Sequence, residues 1–382
     1  MAVSREIKKS KNVSKGSIDF ILLIDVLLML ALGIVMVMSA SSPTSLSETG
    51  KSYTYVKTQA LSAIMGLVGM FIISKIDYKI YKKFYKIIYI VIIILLASVA
   101  VVGKSVGGAK RWIDLGFISF QPSELAKIGL IIFYAALLTN NKERLDKLWG
   151  GFFYPIAFLL PVIAILIGVQ NHLSATVLII LIVAVIMLMA GSRLRYFLSF
   201  GLAGAGLGGV ALLLYAKITG SGSFRIQRLV TFMNPFADTQ GSGWQIIQSL
   251  YAIGSGGLFG VGLGNSTQKY LYLPEAHNDF IFSIIAEELG FLGCVAVILL
   301  FAVFIWRGII IAMKAPDMFS SLVAAGITTM VGLQAIINIA VVTSSMPNTG
   351  MPLPFFSYGG TALLILLCSV GILLNISRCA KK

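Results

Sequence analysis

Charge is scarce in this sequence. Only 12% of its 382 residues are Asp, Glu, Lys or Arg, against about a quarter in a soluble domain. Histidine occurs twice and cysteine three times. Cys294, Cys368 and Cys379 lie in or beside apolar runs. With an odd number so placed, no disulfide framework and no metal-ligand spacing is visible. Acids are scarcer still, 15 against 30 basic residues. A net charge of +15 suggests nucleic acid at first sight, but the lysines and arginines sit in short loops between apolar runs, as membrane topology requires. No nucleic-acid partner is expected. No short internal repeat is present. No inverted pair of broken spans stands out, which weakens a transporter reading.

What the chain has in excess is hydrocarbon: 58% of it is hydrophobic. Apolar runs of about 20 residues recur, each able to cross about 30 Å of lipid. The fold class expected is an all-α polytopic membrane protein with ten transmembrane helices. The spans fall near 18–40, 53–74, 87–102, 122–139, 152–169, 173–190, 196–215, 277–306, 318–343 and 361–376. Ser41-Ser42-Pro43 is expected to end the first, which reads as an uncleaved anchor. A basic tail (1–17) precedes a membrane domain (18–376), and a short tail (377–382) follows. Two thirds of the 30 basic residues then share one side with both termini, which makes the termini cytoplasmic. The segment 217–276 becomes a large extracellular loop between helices 7 and 8.

Several polar groups break this pattern. Lys110 and Arg111 lie on the outer side beside Trp112. A guanidinium fork, an ammonium and an aromatic platform suit an anion such as pyrophosphate; solvated charge and an interfacial tryptophan explain them equally simply. Glu124 follows Pro122 at the start of a span, where an acid complements the helix dipole. Lys127 shares its face, and a pair just inside the hydrocarbon calls for a cavity or a partner. Asp25 lies inside the first span and needs a partner the sequence does not name. Gln170 to Thr176 make a short polar turn containing His172, which reads as a hydrogen-bonded turn residue. Arg225, Arg228 and Lys269 are outward positives. Glycines 254, 256, 257, 260, 262 and 264 permit a re-entrant or tightly packed backbone. They follow no strand and make no nucleotide fingerprint, so no nucleotide cofactor is expected.

The polar chemistry gathers at Pro274-Glu275-Ala276-His277-Asn278-Asp279. Asp279 begins span eight, where the helix dipole keeps a carboxylate ionised and desolvation raises its proton affinity. Such a group can take a proton from a hydroxyl nucleophile; simple helix capping is the alternative. Glu275 and His277 stand beside it as candidate substrate contacts. Glu287 and Glu288 lie about two turns deeper, roughly 12–14 Å along the axis. They face different directions and read as buried structural acids or lower cavity residues. Residues 347–360, PNTGMPLPFFSYGG, form an ordered loop in which Ser357 contacts substrate or simply packs.

The stretches GGAKRWIDLGFISFQPSELAK, NPFAD, GSGWQIIQSLYAIGSGGLFGVGLGNSTQKYLYLPEAHNDFIF and PLPFFSYGG resemble the SEDS family, the FtsW/RodA/SpoVE group of bacterial cell-wall proteins. GLGNSTQKYLYLPEAH is more similar to the FtsW/SpoVE branch. The resemblance implies a peptidoglycan glycosyltransferase that polymerises lipid II outside the bacterial cytoplasmic membrane and releases polyprenyl pyrophosphate. It implies a class B penicillin-binding transpeptidase as partner, with other divisome or sporulation proteins. The family's essential acid falls on Asp279 and its functional tryptophan on Trp112. Many relatives read QPDLGT where this chain has Gln170-Asn171-His172-Leu173-Ser174-Ala175; the missing acid leaves the role of that loop open. Magnesium or manganese is compatible with the chemistry, though no ligand cluster is visible. Lipid II translocation and a non-catalytic scaffold are the rival readings.

Overall fold

The computed structural model describes residues 16–106, 109–114, 119–201, 232, 235–237 and 243–380. Residues 1–15 of the expected tail, positions 202–215 of the seventh expected span, Arg225, Arg228 and residues 381–382 lie outside them. Among the described residues, nine helices are long and apolar enough to cross a membrane. Lipid offers the backbone no hydrogen-bond partner, so each apolar run closes its own bonds as helix.

Helix α1 (Phe20–Thr49) runs on past Pro43 and ends at Gly50, whose φ of 71° turns the chain away. The expected stop at Ser41-Ser42-Pro43 is therefore wrong. A proline removes one backbone donor, and a turn this near the helix end tolerates that loss. At about 1.5 Å per residue, 30 residues reach about 45 Å, well beyond the hydrocarbon. Asp19 caps the first turn through the Leu22 amide (3.0 Å). The same carboxylate grips the Arg307 guanidinium, with Nε at 3.1 and 3.2 Å from its two oxygens. Helices α2 (Thr54–Ile73) and α3 (Lys79–Val102) follow.

Next comes a feature that an all-α reading misses. Strands β1 (Gly103–Val106), β2 (Ala109–Asp114) and β3 (Ser119–Phe120) form an antiparallel sheet in that order. Lys104 pairs across from Trp112, and a bulge follows between Lys104 and Ser105. The Thr361 hydroxyl ties β3 down by donating to the Ser119 carbonyl (2.9 Å).

Helix α4 (Pro122–Asn140) is buried along almost its whole length. It packs against α3, α6 (Leu173–Ala190) and α9 (Met318–Val342) and forms the centre of the bundle. A π-helical turn at Trp149–Phe153 leads into α5 (Tyr154–Gly168). Helix α7 (Trp244–Ser255) is too short to span and lies against α8 (Ile281–Lys314). Helix α10 (Gly360–Cys379) packs along α2. Asp317 opens α9 with a reciprocal capping box to Ser320.

Helix α8 breaks at Gly290, where φ is 68° and ψ −165°. The Phe291 and Leu292 amides donate to the Gly257 (2.9 Å) and Leu258 (3.2 Å) carbonyls. The Glu287 and Glu288 carbonyls instead accept from the Val261 (2.9 Å) and Gly262 (3.1 Å) amides. In an unbroken helix these four groups would bond one another, 291 to 287 and 292 to 288. The glycine-rich loop thus slides into the helix and replaces both lost bonds. Only glycine allows the approach: a Cβ on Gly260 would lie 2.1 Å from the Glu288 carbonyl oxygen.

Candidate functional site

The residues from Pro274 to Phe280 are turns, and α8 begins only at Ile281. The helix start expected at His277 comes four residues too early. The cause is Glu275, whose φ of 55° reverses the chain while its carbonyl accepts from the Asn278 (3.0 Å) and Phe280 (3.4 Å) amides. Asp279 therefore stands on a non-helical apex just before the helix.

Three successive carbonyls of this apex are pinned. The Tyr358 amide donates to the His277 carbonyl (2.9 Å). The Ser357 hydroxyl donates to that of Asn278 (2.7 Å). The Asn338 amide nitrogen donates to that of Asp279 and also to that of Met351, each at 2.7 Å. Helix α7 braces the other side, where Gln245 donates to the Pro274 carbonyl (3.1 Å) and accepts from Asn348 (2.9 Å).

The half-buried Asp279 carboxylate faces the loop after α9. Its Oδ2 lies 3.2 Å from where a Cβ on Gly350 would sit. Gly350, Met351 and Pro352 form one wall of a cavity of about 50 Å³; Gln121, Glu124, Lys127, His172, Ala175 and Leu178 form the rest. That volume holds a few water molecules. Inside it, Lys127 is 3% exposed and bonds Glu124 at 2.8 Å. His172 has an unpartnered Nδ1. Burial drives its imidazole down to about 3, aided by the positive charges of Arg111 and Lys127, so it is neutral at pH 7. The Ser174 hydroxyl donates to the Thr349 carbonyl and joins α6 to the same loop.

The sheet splits the expected Lys110–Arg111–Trp112 unit. The register sets Trp112 across from Lys104 and Lys110 across from Ser105, neighbours that face opposite ways, so Lys110 and Trp112 lie on opposite faces and Arg111 is the extra residue of the bulge. Arg111 reaches the turn before α6, donating from Nε to the Gln170 carbonyl (3.2 Å) and from Nη2 to that of Asn171 (2.7 Å). Lys110 is exposed and Trp112 half-buried.

Lys269 is not an outward cation. It is 4% exposed, and its ammonium donates to Ser39 Oγ (3.0 Å), the Gly264 carbonyl (2.6 Å) and Glu288 Oε1 (2.8 Å). All three donors are used, so it has none left for substrate. Ser357 is similarly occupied, accepting from the Leu353 amide (2.7 Å) while it donates to Asn278. His277 is 6% exposed and packs at a tilt against Tyr55 and Tyr358, at 5.0 and 5.8 Å between ring centres. Burial lowers its proton affinity, against the opposing pull of Glu275 and Glu48. Glu275 is exposed and accepts from the Asn278 side chain (2.5 Å). His277, Ser357 and Glu275 thus hold the apex in shape, whereas Asp279, Glu124, Lys127 and His172 gather around the Gly350 loop. Sequence reasoning missed Asn338. An asparagine inside an apolar run was its signal, since a polar group at membrane depth needs a partner.

The geometry can be set beside known proteins. Residues 20–382 match the cell cycle protein model that covers FtsW, RodA and SpoVE. The chain belongs to this family. Stage V sporulation protein E of Bacillus subtilis is 41% identical over 366 residues, covering 95% of this chain and 98% of the relative. The probable peptidoglycan glycosyltransferase FtsW of Geobacter sp. strain M18 is 39% identical, covering 94% and 96%. Among solved structures, a chain from a study of how a peptidoglycan synthase complex coordinates polymerisation and crosslinking superposes with a TM-score of 0.77 at 29% identity, covering 94% and 98%. The rod shape-determining protein RodA of Thermus thermophilus gives 0.70 at 28%, covering 96% and 98%. An FtsW/RodA/SpoVE chain is a multi-pass membrane protein, in keeping with the nine apolar helices.

Proposed function

We propose that this chain is a peptidoglycan glycosyltransferase that polymerises lipid II into glycan strands at the outer face of the bacterial cytoplasmic membrane, in division or sporulation. One observation carries the reading: Asp279, held by its own carbonyl, faces a cavity wall whose opposite side carries a half-buried Glu124 paired with a buried Lys127. Family membership and the relatives named as glycosyltransferases support it.

Asp279 acts as general base. It takes the proton of the acceptor's sugar 4-hydroxyl. That oxygen attacks the donor's anomeric carbon, and undecaprenyl pyrophosphate departs with the bonding electrons. Lys127 and Arg111 supply fixed positive charge as negative charge grows on the leaving group. Lys110 and Trp112 meet the substrate from the sheet. The cavity is too small for a disaccharide, so the loops at 170–172 and 348–352 open to admit it.

Among the described residues, no group of three or more His, Cys, Asp and Glu side chains is placed to hold a metal ion. Magnesium or manganese would take most of its ligands from pyrophosphate, and no step here depends on it. Ten spans, cytoplasmic termini and an outer 217–276 segment complete the proposed topology, on the strength of the basic-residue asymmetry. The likeness to a chain from a synthase complex supports a class B transpeptidase as partner.

The test is reconstitution with lipid II. Wild-type protein should give a glycan ladder on a gel, and Asp279→Asn should give none while keeping its thermal midpoint. Full activity in that variant excludes the base. Headgroup translocation without polymer means a transporter, and division function retained without either means a scaffold.

A further inference from the structure

The loop inserted at Gly290 is held by side chains as well as by its backbone. Glu288 accepts from Ser39 Oγ (2.6 and 2.7 Å), Lys269 Nζ (2.8 Å) and the Ser266 amide (3.3 Å). Glu287 accepts from the Thr267 amide and hydroxyl, each at 2.9 Å, and from the Ser266 hydroxyl. Ser39, Ser266, Lys269, Glu287 and Glu288 are all less than 9% exposed. Three parts of the chain therefore meet at one buried point: α1 through Ser39, the loop through Lys269 and Ser266, and α8 through both acids.

This clasp closes a lobe. The chain leaves it at Lys269, rises to the apex at Asp279, and returns along Ile281–Leu289 to Glu287 and Glu288. Carbonyl bonds pin the apex, and the clasp pins the base. Below Gly290 the helix runs on to Lys314 as a separate rod. The short upper half of α8 therefore takes its direction from the clasp rather than from an unbroken ladder of helical bonds.

We propose that Ser39, Lys269 and Glu288 are positioning residues for Asp279. They fix the upper half of α8, and the carboxylate just ahead of it, relative to α1. They do not touch substrate. This inference rests on the polymerase reading above. It goes further by assigning part of the reaction rate to a buried ion pair far from the reacting atoms.

The experiment uses full-length protein in detergent with lipid II, measuring kcat, KM and the thermal midpoint of each variant. Lys269→Met alone strands the Glu288 carboxylate and should lower both the midpoint and kcat. The double variant Lys269→Met with Glu288→Met removes both charges and should regain the midpoint. Its kcat should stay about tenfold or more below wild type with KM within about twofold, because a small misplacement of a catalytic group is costly. Ser39→Ala keeps both charges. It should lower kcat about threefold with a smaller drop in midpoint than Lys269→Met, and carries the test if the other variants fail to fold. Wild-type kcat in Ser39→Ala, or in a folded double variant, overturns the positioning role. A wild-type protein that makes no polymer fails the function itself, which is a separate result.

Discussion

Replacing Asn338 isolates the pin on Asp279 from the carboxylate itself. Asn338 is 1% exposed, and its amide nitrogen serves the Asp279 and Met351 carbonyls at 2.7 Å each. Leucine fills nearly the same space and donates nothing. Losing two neutral hydrogen bonds costs about 1 kcal/mol each, and leaving their carbonyls unpaired raises the total to about 2–4 kcal/mol. Against this, Asn338 Oδ1 is itself buried without a partner, so leucine removes one orphan and returns about 1 kcal/mol. The net loss should be about 1–3 kcal/mol, and the protein should still fold. The effect on catalysis should be larger, because both the Asp279 apex and the Met351 wall come loose together. We expect kcat for lipid II polymerisation to fall by about 10- to 100-fold with KM nearly unchanged. The assay is glycan formation by purified Asn338→Leu beside wild type, with folding checked by thermal midpoint. A folded variant with wild-type kcat would refute the claim that this asparagine sets the position of the base.

Acid should destabilise the fold through His172. Its folded imidazole binds a proton only near pH 3, whereas the unfolded chain does so near 6.5. Between those values the unfolded state holds the extra proton, so stability rises with pH and is lost as pH falls below 6.5. From pH 7 to pH 5 this amounts to about 2 kcal/mol; a His172→Gln variant should lose less of its thermal midpoint over that range. The inserted loop should be sensitive to a single methyl group at one glycine and much less at another. Gly260→Ala puts a Cβ 2.1 Å from the Glu288 carbonyl at a φ of 78°, and should cost several times more than Gly257→Ala, where φ is 53° but the space is open. Equal thermal midpoints for the two alanine variants would contradict the insertion.

Nine of the spans are legible, among the described residues, because hydropathy and helix length are fixed by the same layer of lipid. The hairpin was not read, although AKRWID lies in it, since a short strand inside a polar loop carries no burial pattern. The glycine run permits tight packing, and Gly256 and Gly260 have it, against the Ala286 and Glu288 carbonyls. Its partner was hidden: the bonds between residues 257–262 and 287–292 are all backbone, and only the glycines mark them. The same gap misled the reading of Lys269. Assigned to an outer loop, it counted as exposed charge, while Glu288 two turns below Asp279 stood without a cation. Two adjacent acids seemed to face apart on a regular helix, yet residues 266 and 267 reach both because the loop wraps the broken helix.

That break also bears on how Asp279 would work as the proposed base at a lipid boundary. A carboxylate there needs low hydration to bind a proton well, and oriented dipoles to stay ionised beforehand. On a continuous span, Asp279 would be one more residue along a rigid rod, placed by whatever the rod's far end packs against. Here Gly290 uncouples the two halves, and Asp279 lies just outside the N-terminus of the upper one, where the helix dipole favours negative charge. The pins from Asn338, Ser357 and Tyr358 act on carbonyls, so they place the residue through its backbone. In the proposed arrangement the clasp and the carbonyl pins act on position, and the helix terminus favours negative charge, through different atoms. A substitution in either set should change one property without the other, which is why kcat, midpoint and pH response are worth measuring together on the same variants.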